Sequence, residues 1–174
     1  MELPGEGFTL RPFRLTDKEA LVKHGNNQKI SDNLRDRFPH PYTAEGAEWF
    51  INYVLADNDP VKNFIIEVRG EAAGAISFTP GEDVYRLNAE IGYWLGETFW
   101  GKGIMTNAIQ MMVKYIFENF AIKRIFAVPF ASSKASMRAL EKAGFKKEAT
   151  IKKGVFKNGQ ILDYHIYSID CFAD

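Results

Sequence analysis

Residues 88–106 read Asn88-Ala89-Glu90-Ile91-Gly92-Tyr93-Trp94-Leu95-Gly96-Glu97-Thr98-Phe99-Trp100-Gly101-Lys102-Gly103-Ile104-Met105-Thr106. An apolar strand runs into a glycine-bearing turn, and the turn opens directly into a long helix. The first turn of a helix leaves backbone N–H groups unpaired, and the helix dipole puts partial positive charge there. Gly101 and Gly103 let the backbone approach an anion with no Cβ in the way. The stretch therefore predicts a seat for a ligand carrying a diphosphate. The bland alternative is a glycine-rich helix start that binds nothing.

Working outward, Ile104 to Phe120 is strongly helical. Its polar positions Asn107, Gln110, Lys114 and Glu118 fall in a narrow arc, so most of the helix surface is expected to be buried. Arg124 to Phe130 is a continuous apolar run, as for a strand covered on both faces. Strand, helix and strand make a βαβ unit, which is nearly always right-handed.

Upstream, Phe8 to Phe13 alternates like a strand, and Thr16-Asp17-Lys18-Glu19 reads as a capping box for a helix to about His24. Gly25 to Tyr42 is polar and irregular. Thr43 starts a helix that ends near Ala56. Asn63 to Arg69 and Ala72 to Thr79 flank the short turn Gly70-Glu71 as a hairpin. Downstream, Ser133 to Ala143 is a short helix stopping at Gly144. Phe145 to Phe156 and Gln160 to Ile169 flank Asn158-Gly159, a strong hairpin signal. The pattern predicts a single α/β domain over residues 1–174 with a mixed sheet.

Composition bounds the function. Hydrophobic residues make up 46% of the 174, well within the globular range. Lys plus Arg and Asp plus Glu are 22 each, for a formal net charge of zero. That balance argues against a general binder of nucleic acid or of membrane surfaces. Cys171 is the single cysteine, so no internal disulfide framework is available. Met1 to Gly7 is acidic and not a signal-peptide pattern. No run approaches the ~20 apolar residues of a membrane span. A cytoplasmic location is expected. His24, His40 and His165 are scattered, so no metal site is expected. His165, alternating in an apolar strand, reads as a core residue.

Gly-Lys-Gly is neither a Walker loop nor a dinucleotide fingerprint, because Ile104 and Met105 follow and no third glycine comes at the right spacing. The missing Lys-Ser or Lys-Thr also disfavours a nucleotide hydrolase. The context is more specific. A strand with a carboxylate, the turn Trp100-Gly101-Lys102-Gly103-Ile104-Met105, and a later Ser-x-x-Ser followed by Glu141-Lys142-Ala143-Gly144-Phe145 occur in that order. In these motifs the chain resembles the GCN5-related N-acetyltransferases (GNAT), and within them the branch that acetylates ribosomal-protein alanine. The resemblance runs from Phe8-Thr9-Leu10-Arg11-Pro12 to Asp163 and is densest between Ala89 and Phe145.

That resemblance implies a mixed central sheet of about seven strands flanked by about four helices. It implies acetyl-CoA as co-substrate, without a metal. Its diphosphate would lie on the amides of Lys102, Gly103, Met105 and Thr106, in the turn from Trp100 through Gly101 to Ile104. The pantetheine arm would take main-chain hydrogen bonds from Tyr93 and Leu95. Glu90 lies five residues before Leu95, or about 16 Å at strand rise, a reach suited to an extended arm. Trp100 stands where the wider family has Arg or Gln, and Met105 where it has Gly or Ala, so the Met105 side chain must point away from the phosphates.

Glu90 is the candidate base. The acceptor amine must lose a proton, at about 1.4 kcal/mol for an α-amine and about 4.6 kcal/mol for a lysine amine at pH 7. A modest base, directly or through water, suffices for the first. The alternative is a strand-end carboxylate paired with Arg86 or Arg124. Ser136 matches the serine this branch carries near the CoA sulfur; the alternative is a first-turn serine serving local backbone groups. Ser133 stands where the family has Asn at a cofactor contact, and it also suits an N-cap. Strand N–H groups would stabilise the oxyanion. The resemblance implies that Asp32, Arg35, Asp36, Arg37 and His40 help form the acceptor side of the cleft; the alternative is a solvated loop of mixed charge.

The expected activity is acetyl transfer to a primary amine, a protein N-terminus by the nearest branch. A small amine (polyamine, amino acid or aminoglycoside) is the alternative acceptor. A CoA-binding sensor without turnover is the rival from another class, and a homodimer is a family-level expectation.

Overall fold

The computed structural model describes residues 1–57 and 59–171. Strands β1 (Leu3–Pro4) and β2 (Thr9–Pro12) precede helices α1 (Lys18–Gly25), α2 (Gln28–Ser31) and α3 (Ala44–Ala56). Strands β3 (Asn63–Val68), β4 (Glu71–Pro80) and β5 (Asn88–Leu95) follow. Helix α4 (Ile104–Asn119), strand β6 (Arg124–Ala127) and helix α5 (Lys134–Lys142) lead into the long hairpin of β7 (Lys146–Lys157) and β8 (Gln160–Asp170). The eight strands form one mixed sheet in the order β1-β2-β3-β4-β5-β6-β8-β7 among the described residues. Every neighbouring pair is antiparallel except β5 with β6, the pair that α4 connects. Against the expected architecture, the additional strand is the two-residue β1 and the additional helix is the one-turn α2.

The sheet is covered on both faces because β5 alternates. Ala89, Ile91 and Leu95 are buried beneath α4, against Ile104, Ala108, Ile109 and Met112. Trp94 points to the opposite face, where α1 and α3 pack with Phe13, Leu21, Ala47 and Ile51. Helix α4 has no Gly or Pro from Ile104 to Asn119, and its enclosure follows from the apolar positions that face the sheet. The β7–β8 turn has Asn158 and Gly159 at φ 50° and 75°, the left-handed pair a tight hairpin needs. Strand β7 is the outer edge, exposes Lys146, Lys147, Lys152 and Lys153, and is interrupted by two register shifts.

Three local expectations change. Thr16 does not cap α1: Asp17 accepts the Arg14 N–H at 2.7 Å, and a short 3₁₀ turn over Leu15–Asp17 leads into the helix. The irregular stretch after Gly25 contains α2, whose start Asn27 caps by accepting the Lys29 N–H at 2.9 Å. Strand β6 ends at Ala127 rather than Phe130. From Val128 on, the chain stays beside β8, with His165 N–H donating to Pro129 O at 3.0 Å and Ala131 N–H to Asp163 O at 2.9 Å, and leaves β5.

Arg11 is 3% exposed in the interior of the N-terminal half. Its guanidinium donates to both Asp17 oxygens, at 2.7 and 3.0 Å, and its Nε donates to Glu67 of β3. The cluster ties β2 to β3 and to the start of α1. Replacing Arg11 with Met strands a buried Asp17, and breaking such a pair costs about 3–5 kcal/mol. The expected result is a loss of that size in unfolding free energy, read by urea denaturation.

Candidate active site

Register decides which backbone groups of β5 are free. Gly81 N–H donates to Asn88 O and Gly96 N–H donates to Ala73 O, both at 2.8 Å, so the even-numbered residues of β5 turn their peptide groups toward β4. The odd-numbered residues face the other way. There β6 pairs with Asn88, Ala89 and Glu90 only. Beyond Glu90 the edge of Ile91, Tyr93 and Leu95 has no strand beside it among the described residues. A wedge opens between β5 and β6, and Glu90 stands at its apex.

At the wide end lies the turn into α4. Gly101 and Gly103 have φ of 73° and 75°, a conformation that a Cβ would strain. Gly103 is the N-cap position and no side chain caps the helix. The first N–H to find an intrahelical carbonyl is that of Asn107, on Gly103 O at 3.1 Å. Ile104 is buried, while Met105 packs against the core and so turns away from the turn's open side. Trp100 pins the turn to the strand: its indole Nε1 donates to Leu95 O at 2.7 Å. That bond occupies the Leu95 carbonyl and leaves its N–H for the edge. Lys102 folds back, donating to Thr98 O at 2.9 Å with its ammonium 5.7 Å from the Phe99 ring centroid. Thr106 is half-buried in the first helical turn.

Glu90 points to the face opposite α4, the same face as Trp94. Its partner is Arg35, not Arg86 or Arg124. Arg124 instead binds Glu148 and Asn88, and Arg86 donates to Asp83 O. Glu90 and Arg35 are 29% and 51% exposed at the side chain, so the pair sits at a boundary with solvent. The segment that carries Arg35 is anchored to the β7–β8 hairpin. Asp36 accepts from the Lys157 ammonium at 2.8 Å, and Asp32 accepts from the Asn158 amide at 2.8 Å. Between this segment and the hairpin lies a cavity of about 360 Å³, walled by Arg35, Val128, Phe130, Val155 and Tyr164. Arg37 and His40 are exposed and do not line it.

On the α4 face, the Tyr93 hydroxyl and Ser136 Oγ share a 2.7 Å hydrogen bond. Burial pushes the Tyr93 phenol well up, and the Ser136 hydrogen bond draws it partly back. The phenol therefore stays protonated as a neutral donor or acceptor. Glu90 and Ser136 thus flank the open edge from opposite faces of the sheet. Ser133 occupies the N-cap position of α5 without making a side-chain capping bond. His165 is a half-buried residue rather than a core one, and its Nδ1 lies 2.9 Å from Thr150 Oγ1. Sequence reasoning missed the Tyr93 hydroxyl as the partner of Ser136. It also missed Lys157 in the cavity wall, which only the hairpin register brings there. Among the described residues, no group of three or more His, Cys, Asp or Glu could hold a metal, and no helix is long and apolar enough to cross a membrane.

The profile described as Acetyltransferase (GNAT) domain matches residues 8–146. A Bacillus subtilis (strain 168) chain named Probable N-acetyltransferase YjcK is 43% identical over 173 residues, covering 96% of both chains. The Escherichia coli (strain K12) Ribosomal-protein-serine acetyltransferase is 29% identical over 117 residues, 67% of this chain and 65% of that one. The crystal structure of Microcin C7 self immunity acetyltransferase MccE, in complex with acetyl-CoA and AMP, is 29% identical and covers 96% of this chain and 94% of its own, with a TM-score of 0.83. With the open strand edge and the glycine turn in their places, the chain belongs to the GNAT family and is an N-acetyltransferase.

Proposed function

We propose that this enzyme carries an acetyl group from acetyl-CoA directly to an α-amine, the acceptor being a protein N-terminus. One observation carries the reading: β5 sheds its β6 neighbour after Glu90, and the freed edge leads to the uncapped start of α4. Acetyl-CoA fits that track. The N–H groups of Tyr93 and Leu95, with the Tyr93 carbonyl, would hold the pantetheine amides as an added strand is held. The amides of Lys102, Gly103, Met105 and Thr106, in the turn bounded by Trp100, Gly101 and Ile104, would hold the diphosphate. Ser133 would border the arm from α5. When bound, acetyl-CoA supplies the activated acetyl thioester.

The protein's own residues do the rest. Glu90 accepts the proton of the acceptor ammonium once Arg35, half in water, yields one carboxylate oxygen. Edge N–H groups of β5 donate to the oxygen on which negative charge develops. Tyr93 donates to Ser136 Oγ, which leaves the Ser136 O–H to meet the departing thiolate. Approach from opposite faces of the sheet keeps the two substrates apart until their reacting ends meet at the apex of the wedge. An α-amine is favoured over a lysine amine by about 3 kcal/mol of deprotonation cost at pH 7. A protein acceptor is supported by the similarity to the Escherichia coli ribosomal-protein-serine acetyltransferase.

Two variants test the reading. Glu90→Gln is expected to lower kcat/KM about a hundredfold at pH 7. The loss should shrink at pH 9, where the α-amine is already free base, as read from thiol release across a pH series. A loss of equal size at every pH removes Glu90 as the base. Gly103→Val forces a β-branched residue into a left-handed φ. It is expected to weaken CoA binding at least about tenfold by calorimetry; unchanged affinity removes the turn from the cofactor site.

A further inference from the structure

The cavity beside Glu90 has a charge arrangement that acetyl transfer as such does not require. Its walls are largely apolar, with Val128, Phe130, Val155 and Tyr164. Its charged members are Arg35, Asp36 and Lys157. Arg35 is held by Glu90. Lys157 is 6% exposed, and its ammonium lies 2.8 Å from Asp36 Oδ1. Asp36 is 83% exposed.

The pair is therefore lopsided. The cation is fixed: Lys157 closes β7 in register with Gln160 and immediately precedes the Asn158–Gly159 turn. A lysine so buried costs several kcal/mol unless an anion stays on it. The anion is loose on its own side: the exposed carboxylate regains water when it leaves, so the ammonium needs only that another anion take its place. The wall beside it is purpose-shaped. A Cβ on Gly154 would lie 2.4 Å from Tyr164 Cε1, so glycine there lets the Tyr164 ring lie across the strand.

We infer that Lys157 reads a carboxylate on the acceptor, and that Asp36 is the placeholder this carboxylate displaces. The inference rests on the acetyl transfer to an α-amine proposed above and specifies the acceptor by its charge, whether or not the α-amine belongs to a protein. The substrate is an α-amine that also bears a carboxylate, supplied either by a free amino acid or by an acidic residue close to a peptide N-terminus. Exchange of one carboxylate for another keeps the buried ammonium paired throughout. A polyamine is disfavoured, since it would bring a further cation to a wall already carrying Arg35 and Lys157.

The test is steady-state thiol release with acetyl-CoA and matched acceptors. These are peptides differing only by Asp or Asn at the second residue, a free amino acid with its carboxamide, and spermidine. The acidic member of a pair is expected to show a KM about tenfold lower at similar kcat, the scale of one charge-assisted hydrogen bond. Lys157→Met is expected to erase that difference by raising the KM of the acidic member. Asp36→Asn, which leaves the Lys157 ammonium an amide oxygen in place of the carboxylate and is assayed only after its fold is verified by thermal denaturation, is expected to lower the same KM further because the competing carboxylate is gone. Which pair shows the larger effect identifies the source of the carboxylate. Ready turnover with equal KM values for acid and amide, or a preference for spermidine, overturns this inference and leaves acetyl transfer standing. No thiol release with any acceptor overturns both.

Discussion

Strand β5 has one neighbour along its whole length and another along less than half of it. Paired to β4 from Ala89 to Leu95, it is held rigid; paired to β6 only through Glu90, it is left with an edge that has no strand beside it among the described residues, the Leu95 carbonyl being taken by Trp100. The free peptide groups of such an edge are satisfied by water or by a ligand that offers donors and acceptors at strand spacing. The opening stays open because β6 is committed elsewhere, through its ladder with β8 and the Phe130–Tyr164 bridge. On the other side α4 clamps Ala89, Ile91 and Leu95 into the core. The placement of the site follows from that single divergence. Parity sends Glu90 to one face and Tyr93 to the other, and the strand's end delivers Leu95 to Trp100.

Two consecutive residues, Arg35 and Asp36, connect this opening to the far hairpin. Arg35 reaches Glu90 across 55 positions of sequence, and Asp36 reaches Lys157 across 121. The first pair is between partly wet groups and is weak by nature; the second sets a buried cation against a wet anion. Both pairs bring opposite charges to one short segment. A molecule entering there meets groups whose present partners are exchangeable.

Much of this was readable from local pattern. The β5–turn–α4 unit carries its instructions within nineteen contiguous residues, and the Asn158–Gly159 turn announces its hairpin on its own. What failed was non-local. Arg11 sits in an alternating strand where a charged residue reads as solvent-facing, and only folding brings Asp17 and Glu67 to neutralise it. The end of β6 at Ala127 is invisible in the run Arg124 to Phe130, because β8 alone draws those residues away from β5. Lys157, next to a hairpin turn, reads as exposed; its burial depends on Asp36 and on the cavity wall. Arg35 is one of several charges in a polar loop, and nothing in its neighbours distinguishes it from Arg37.

The lysines of β7 acquire a meaning from the same divergence. Any unpaired strand margin can recruit a foreign strand and seed association between molecules. At the sheet's perimeter this hazard is blunted: β1 is only two residues long, and β7 presents Lys146, Lys147, Lys152 and Lys153 along a twice-interrupted ladder. Among the described residues, the margin left without such guards is internal, bounded by β6 and the mouth of α4. Electrostatic repulsion is thus assigned to the rim of the sheet, and the edge that would take up a ligand lies in its interior.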